Sequence, residues 1–367
     1  MRNRIVWAAV LGLALVGCKK QEPPKQEPVA TKPTEPPKAP EPKPVTPADI
    51  AAKWTECMAY MTAKDEAKFG GCMTDMTSSE IFDSGMPPSM GSKAVVERVK
   101  MMWTAFPDFK VEPQLVLVSG GNFATIDLMA GTNSGAFMGK PATNKPVGYF
   151  MTHIGQVDLA NGEVKTVNAL IDQSAPMMQM MGDKKAPPIA ARWPAAKTVI
   201  AKDDATEREN VKLWWAMNKE WNAHDVAKVT AMYADDAVLW DGGNRKIAGT
   251  KAIGDMMKGF WTAFPDAKGT PSQIWGAGDW VVVNATATGK NDGIAPAMGF
   301  AKKTGKPFTM HVIELARLEG GKVKEHWLFY NGMAMAMQLG MVPPPDAAPA
   351  KTDESTKPGE AARPAAP

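Results

Sequence analysis

The chain has 367 residues, 44% apolar and 22% charged, with a formal net charge of +3. That is apolar material for about two packed domains, and it excludes a chain that is disordered throughout. The near-neutral balance, with Lys spread through Pro-rich segments, also excludes the basic face of a nucleic-acid-binding protein, so no nucleic-acid partner is expected.

The N-terminus is processing signal. Arg2 and Arg4 precede an apolar run of twelve residues, Ile5 to Val16. A run of that length falls short of the ~20 residues that span a bilayer. It ends in Leu15-Val16-Gly17-Cys18, which resembles a bacterial lipobox. The resemblance implies a signal peptide over residues 1–17, cleavage before Cys18 and acylation of that cysteine, with several acyl chains giving a stable membrane anchor. Lys19 follows where an inner-membrane retention signal carries Asp, so the expected location is the outer membrane of the cell envelope, facing the periplasm. Residues 19–48 contain ten prolines. With Cys18, residues 18–47 read as an anchor and a disordered polyproline-II tether, whose reach is at most roughly 90 Å.

A first domain follows over residues 48–183, a Lys/Ala/Pro-rich linker over 184–206, a second domain over 207–342 and a disordered Pro/Ala-rich tail over 343–367. The two domains are copies of one unit. Trp103-Thr104-Ala105-Phe106-Pro107-Asp108 recurs as Trp261-Thr262-Ala263-Phe264-Pro265-Asp266. Phe82-Asp83-Ser84-Gly85 aligns with Trp240-Asp241-Gly242-Gly243, Met138-Gly139 with Met298-Gly299, and Gly182 with Gly340. In the second copy the pattern predicts a helix over Glu207 to Ala223, with an apolar stripe of Val211, Trp214, Trp215, Asn218 and Trp221. A short helix capped by Asp225 runs to Tyr233. A strand from Ala237 to Trp240 leads into Asp241-Gly242-Gly243, and a third helix spans Thr250 to Phe264. Three long strands are predicted next, at Trp280–Thr288, Phe308–Leu318 and Val323–Tyr330, then a Met-rich helix from Met333 to Leu339.

Cys57 and Cys72 admit two readings. An oxidising compartment would let them form a disulfide. Met217 and Met232 hold the matching positions in the second copy, so both sites face a core where Cys also packs as a small apolar residue.

Helices first, then antiparallel strands, with Phe-Pro-Asp between the third helix and the long strands, resembles the SnoaL-like polyketide and ester cyclases of the NTF2-like superfamily. In copy two the match is carried by Ala263-Phe264-Pro265-Asp266, Gly278-Asp279-Trp280-Val281-Val282, Met298-Gly299, Gly305-Lys306-Pro307, Leu318-Glu319-Gly320-Gly321-Lys322-Val323, Glu325-His326-Trp327 and Gln338-Leu339-Gly340. The resemblance implies an α+β fold: two tandem cone-shaped barrels, each with three helices packed on a curved, mainly antiparallel sheet. Each cone opens at one end into an apolar pocket. Relatives often dimerise through the sheet, so the two domains are expected to pair within one chain or to form a homodimer.

The resemblance also implies intramolecular aldol chemistry, in which a base removes a proton beside a carbonyl and a donor stabilises the enolate. It places an acid/base Asp four residues after the Trp of Glu-His-Trp. That position is Asn331 in copy two and Asp172 in copy one, where Val167 and Asn168 replace the His and Trp. His311 and His326 are further acid/base candidates. For His311 the competing reading is a strand-end His bonded to backbone; of His326 and Trp327 only one can line the pocket. Asp83, Asp241, Trp240, Trp261, Trp327 and Met298 are candidate ligand contacts, although Asp-Gly-Gly is also ordinary turn chemistry. The methionine runs 177–181 and 333–337 suit either helix packing or thioether ligation of Cu(I); packing is preferred, because both fall in the terminal helix of the repeat. No zinc cluster, phosphate loop or Ser/His/Asp arrangement is present, so neither metal nor cofactor is expected. With neither copy carrying the full acid/base set, the expected function is binding of a small apolar molecule, weakly catalytic or non-catalytic. The alternatives are a cyclase, isomerase or hydrolase acting on a small carbonyl compound, and an envelope scaffold or interaction protein.

Overall fold

The computed structural model describes residues 44–73, 78–81, 89–137 and 139–342, the side chains of 78–81 and 89–90 excepted. The signal segment, Cys18, the tether up to residue 43, Asp83, Met138 and the tail from 343 lie outside the described residues.

Helix α1 (Pro47–Ala63) starts at a capping box, in which Thr46 and Asp49 satisfy each other's backbone N–H groups and Pro47 occupies the first turn. Next come α2 (Glu66–Gly70), β1 (Ser78–Ile81), β2 (Ser89–Met90) and α3 (Gly91–Ala105). Then β3 (Lys110–Ser119), β4 (Asn122–Thr132), β5 (Pro146–Val157) and β6 (Val164–Leu170) lead to α4 (Ser174–Met181). The linker is not featureless. It contributes β7 (Lys197–Ile200), which pairs in parallel with β3 and completes a sheet of order β2-β1-β6-β5-β4-β3-β7.

The second copy repeats the plan. Helix α5 (Ala205–Asn222) opens on a second capping box, Asp204 with Glu207, and Glu207 also accepts from Gly278 N at 2.7 Å. Then come α6 (Val226–Ala231), β8 (Tyr233–Asp241), β9 (Arg245–Ala248), α7 (Thr250–Ala263), β10 (Lys268–Ala277), β11 (Trp280–Lys290), β12 (Pro307–Glu319), β13 (Lys322–Phe329) and α8 (Gly332–Gln338), in a sheet of order β10-β11-β12-β13-β8-β9. There are four long strands rather than three. Strand β10 escaped the sequence pattern because Pro271 sits in it, tolerated at a bulge beside Gln273; Pro113 does the same in β3.

The repeated motifs are fasteners. In Phe-Pro-Asp, Asp108 Oδ1 accepts from Thr132 N at 2.6 Å and Asp266 Oδ1 from Lys290 N at 2.7 Å, tying the end of the third helix to the end of a strand. Gln338 of Gln-Leu-Gly makes two 2.9 Å bonds to the backbone of Thr309, docking α8 on β12.

Each sheet has two buried faces. The inner face encloses the helices of its own domain. The outer faces meet in a third core, in which Leu115, Leu117, Ile126, Leu128, Phe150 and Leu170 pack with Trp275, Trp280, Val282, Ile313, Trp327 and Phe329. Trp327 stacks on Trp240 at 4.8 Å and meets Phe150 edge-on at 5.2 Å. Asn244 Oδ1 accepts from Phe150 N at 2.8 Å across the same boundary.

Candidate functional site

Alternation along the strands of domain 2 decides which side chains reach the interior. On β12, Met310, Val312 and Glu314 point inward, while His311, Ile313 and Leu315 point out. On β13, His326 and Leu328 face in and Trp327 and Phe329 face out. The interior holds a cavity of about 1040 Å³. Trp214, Met217, Trp221, Met257, Phe260 and Met310 line its walls.

Two polar clusters interrupt this apolar lining. In the first, His326 stands between Glu314, at 2.8 Å from Nε2, and Tyr233, whose hydroxyl lies 2.7 Å from Nδ1. Trp214 of α5 packs edge-on against the imidazole at 5.2 Å. A neutral imidazole satisfies both partners when Nε2–H donates to the carboxylate and Nδ1 accepts from the tyrosine. Both ring nitrogens are then occupied. The groups left to touch a ligand are Glu314 Oε1 and the Tyr233 oxygen. Burial pushes the Tyr233 hydroxyl well above 10, and the Glu314 charge adds to the rise, so it stays a neutral donor.

The second cluster lies at the Asp-Gly-Gly turn. Asp241 pairs with Arg245, and Tyr330 donates to Asp241 Oδ1 at 2.7 Å. Burial, then the charges of Asp241 and Asp172, push Tyr330 well above 10. The turn needs glycine twice: Gly242 and Gly243 have φ of 59° and 73°, and a Cβ on Gly243 would fall 2.2 Å from the Phe329 ring. Turn chemistry and a cavity-facing carboxylate therefore coexist at Asp241.

The predicted site residues divide accordingly. Asp172, Asp241, His326 and Met298 line the cavity. Asn331 does not: it is fully buried and caps α8, accepting from Ala334 N at 3.2 Å. His311 lies on the outward parity of β12, bonded to Asn284, and burial lowers it to about 4. Trp240 and Trp327 belong to the inter-domain core, because both strands present them on the outer face. Trp261 packs in the core against Trp221 at 5.8 Å and stacks on His224 at 5.0 Å. Trp215 of the predicted apolar stripe is half-exposed, at 49%. Cys57 and Cys72 are disulfide-bonded. Sequence reasoning missed Glu314, Tyr233, Arg245 and Tyr330. Glu314 carried a readable signal, a carboxylate on the apolar parity Phe308, Met310, Val312, Ala316, Leu318. Among the described residues no group of three or more His, Cys, Asp or Glu side chains is placed to hold a metal.

The family model of the SnoaL-like polyketide cyclases matches residues 64–180 and again 213–339, together more than half of the chain. The chain belongs to the SnoaL-like polyketide cyclase family, in two tandem copies. Solved structures that it resembles include AclR from Streptomyces galilaeus, 24% identical over 38% of this chain and 85% of that one, with a TM-score of 0.33. IdmH from Streptomyces antibioticus is 23% identical over 36% and 98%, with a TM-score of 0.30. TsrD from Streptomyces laurentii is 16% identical over 37% and 97%, with a TM-score of 0.32. No match to the curated proteins reaches significance.

Proposed function

We propose that this is a lipid-anchored envelope protein whose second SnoaL-like domain binds a small, mainly apolar molecule carrying an oxygen function. The observation that carries the reading is the cavity of about 1040 Å³, walled by Trp, Met and Phe and marked by two polar clusters. A ligand pocket has that anatomy: an apolar lining gives affinity and a few placed polar groups give orientation. Methionine-rich walls adapt to irregular shapes. Anchoring rests on the lipobox-like Leu15-Val16-Gly17-Cys18, and Cys18→Ala should move the chain from the membrane fraction to the soluble fraction. Recovery of that variant in the membrane fraction refutes the anchor.

A second reading, acid–base catalysis on a small carbonyl compound, is favoured by the Tyr233–His326–Glu314 chain. Glu314 would take the proton beside a carbonyl, and Tyr233, by donating to His326, would hold the imidazole that positions the carboxylate. The readings separate in one experiment on the full chain, a screen of small aromatic and polyketide-like ketones for binding and for turnover. Binding without turnover supports the first reading. Turnover that falls at least about 100-fold in Glu314→Gln, with binding kept, supports the second. Failure of every ketone to bind refutes both.

A further inference from the structure

We propose that the cavity of domain 2 is a composite site, completed by Asp172 of domain 1, which with Asp241, Arg245 and Tyr330 forms a polar mouth for the oxygen of an uncharged ligand. The inference rests on the reading of the cavity as a ligand site and adds what that reading lacks, a residue contributed across the domain boundary.

Asp172 follows β6, a strand of the first domain, yet it lines the cavity of the second together with Ser174 and Met178 of α4. Two glycines of domain 2 admit it. A Cβ on Gly242 would lie 3.0 Å from Asp172 Oδ2, and one on Gly332 would lie 3.4 Å from Oδ1. A side chain at Gly242 would crowd the carboxyl, and one at Gly332 would touch it. Three donors fix it in place. Ser174 N reaches Oδ1 at 3.1 Å, Ser174 Oγ reaches Oδ2 at 2.7 Å, and the Gly332 N–H of domain 2 completes the set. The residue is therefore held by both domains.

The charge arrangement selects the ligand class. Asp241 is already matched by Arg245 and by the Tyr330 hydroxyl. Burial, then the charge of Asp241, raise the Asp172 carboxyl, against the lowering effect of the Ser174 bonds. The charged and titratable groups around it are Asp241 on β8, Arg245 and Lys246 on β9, Tyr330 after β13 and Lys185 after α4. A carboxylate ligand would meet Asp172 and Asp241 at the mouth, and a cationic one would meet Arg245. A carbonyl or hydroxyl oxygen on an apolar body meets neither repulsion, and the Asp172 carboxyl can donate to it whenever it holds its proton. Only one of the two equivalent positions plays this part. Its counterpart Asn331 is a buried helix cap. Two identical chains would carry the same residue at both places, whereas a fused pair can specialise one.

The test uses the full chain and two probes, 2-acetylnaphthalene and the oxygen-free 2-ethylnaphthalene, followed by quenching of the cavity tryptophans Trp214 and Trp221. Asp172→Ala is expected to weaken the ketone about fivefold, the net worth of one hydrogen bond, and to leave the hydrocarbon unchanged. Asp172→Asn, which keeps an acceptor for Ser174 and a donor for the ligand, is expected to restore ketone binding. In the wild type, ketone affinity should fall as pH rises through the titration of Asp172; in Asp172→Asn that slope should vanish. Equal loss of both probes in Asp172→Ala, or no loss of either, overturns the composite site while leaving the cavity reading intact. A wild type that binds neither probe overturns the cavity reading and this inference with it.

Discussion

Trp327 offers the sharpest test of how the two domains are joined. Its side chain is 2% exposed, stacked on Trp240 at 4.8 Å and edge-on to Phe150 at 5.2 Å, with Trp193 of the linker 5.4 Å away. Truncating a buried Trp to Ala costs about 3–5 kcal/mol, through lost transfer energy and the cavity left behind. The value should lie in the upper half, because four aromatic partners, Phe329 included, lose contacts and two of them belong to the first domain or the linker. Trp327→Phe discriminates further. The indole Nε1 has no hydrogen-bond partner among the described residues, so Phe removes a desolvated donor worth about 1–3 kcal/mol and offsets much of the lost area. The expected cost of Trp327→Phe is below about 1.5 kcal/mol. Urea denaturation of the full chain, followed by far-UV circular dichroism, measures both. A cost under about 1 kcal/mol for Trp327→Ala, or equal costs for Ala and Phe, would refute the account of Trp327 as the centre of a packed inter-sheet core.

The Cys57–Cys72 bridge spans 15 residues, and the double variant Cys57→Ser/Cys72→Ser should cost about 3 kcal/mol; an unchanged urea midpoint would contradict this. His311 is held near 4 in the native state by burial, against about 6.5 when unfolded, so native His311 is neutral and unfolding lets it take up a proton. Its contribution is present in full above pH ~6.5 and is lost as pH falls from there toward 4, by at most about 3 kcal/mol, and His311→Gln should flatten that part of the stability profile. Gly243→Ala should cost upwards of about 2 kcal/mol, because φ is 73° and the new methyl would meet Phe329; a thermal midpoint within a degree of wild type would show that the turn relaxes freely.

The fold was legible because its signals are local and occur twice. Asp225 announced a cap, and Phe264-Pro265 the end of the third helix, and the structure matches both. The inner and outer faces were not legible, because both are apolar. In most antiparallel sheets a polar outer face identifies the inner one. Here Trp327 and His326 were equally plausible wall residues until the third core, formed by residues more than a hundred positions apart, fixed the parity. The site suffered from the same ambiguity. Asn331 and Asp172 were named from one motif position, yet one is a helix cap and the other crosses the boundary, a difference that lies in tertiary packing alone.

The two cones have diverged by moving their buried polar pair to a different strand. In domain 1, His153 on β5 meets Asp127 on β4 at 2.8 Å, and Trp54 of α1 packs on the imidazole at 4.7 Å while its indole N–H reaches Asp127 at 3.3 Å. In domain 2 the equivalent tryptophan, Trp214, again packs on a buried imidazole, but the histidine is His326 on β13, and Glu314 now stands where His153 does. The consequence differs between the copies. The Asp127 carboxylate is fully buried, with Trp54, Thr125 and His153 all bonded to it. The Glu314 carboxylate gives one oxygen to His326 and stays partly exposed on the cavity wall. A buried pair with every acceptor occupied specifies packing, whereas a pair with an open acceptor in an apolar cavity can meet a ligand. On that basis the first copy is the rigid partner at the sheet interface, and the second copy is the one that turns an open carboxylate acceptor toward a cavity.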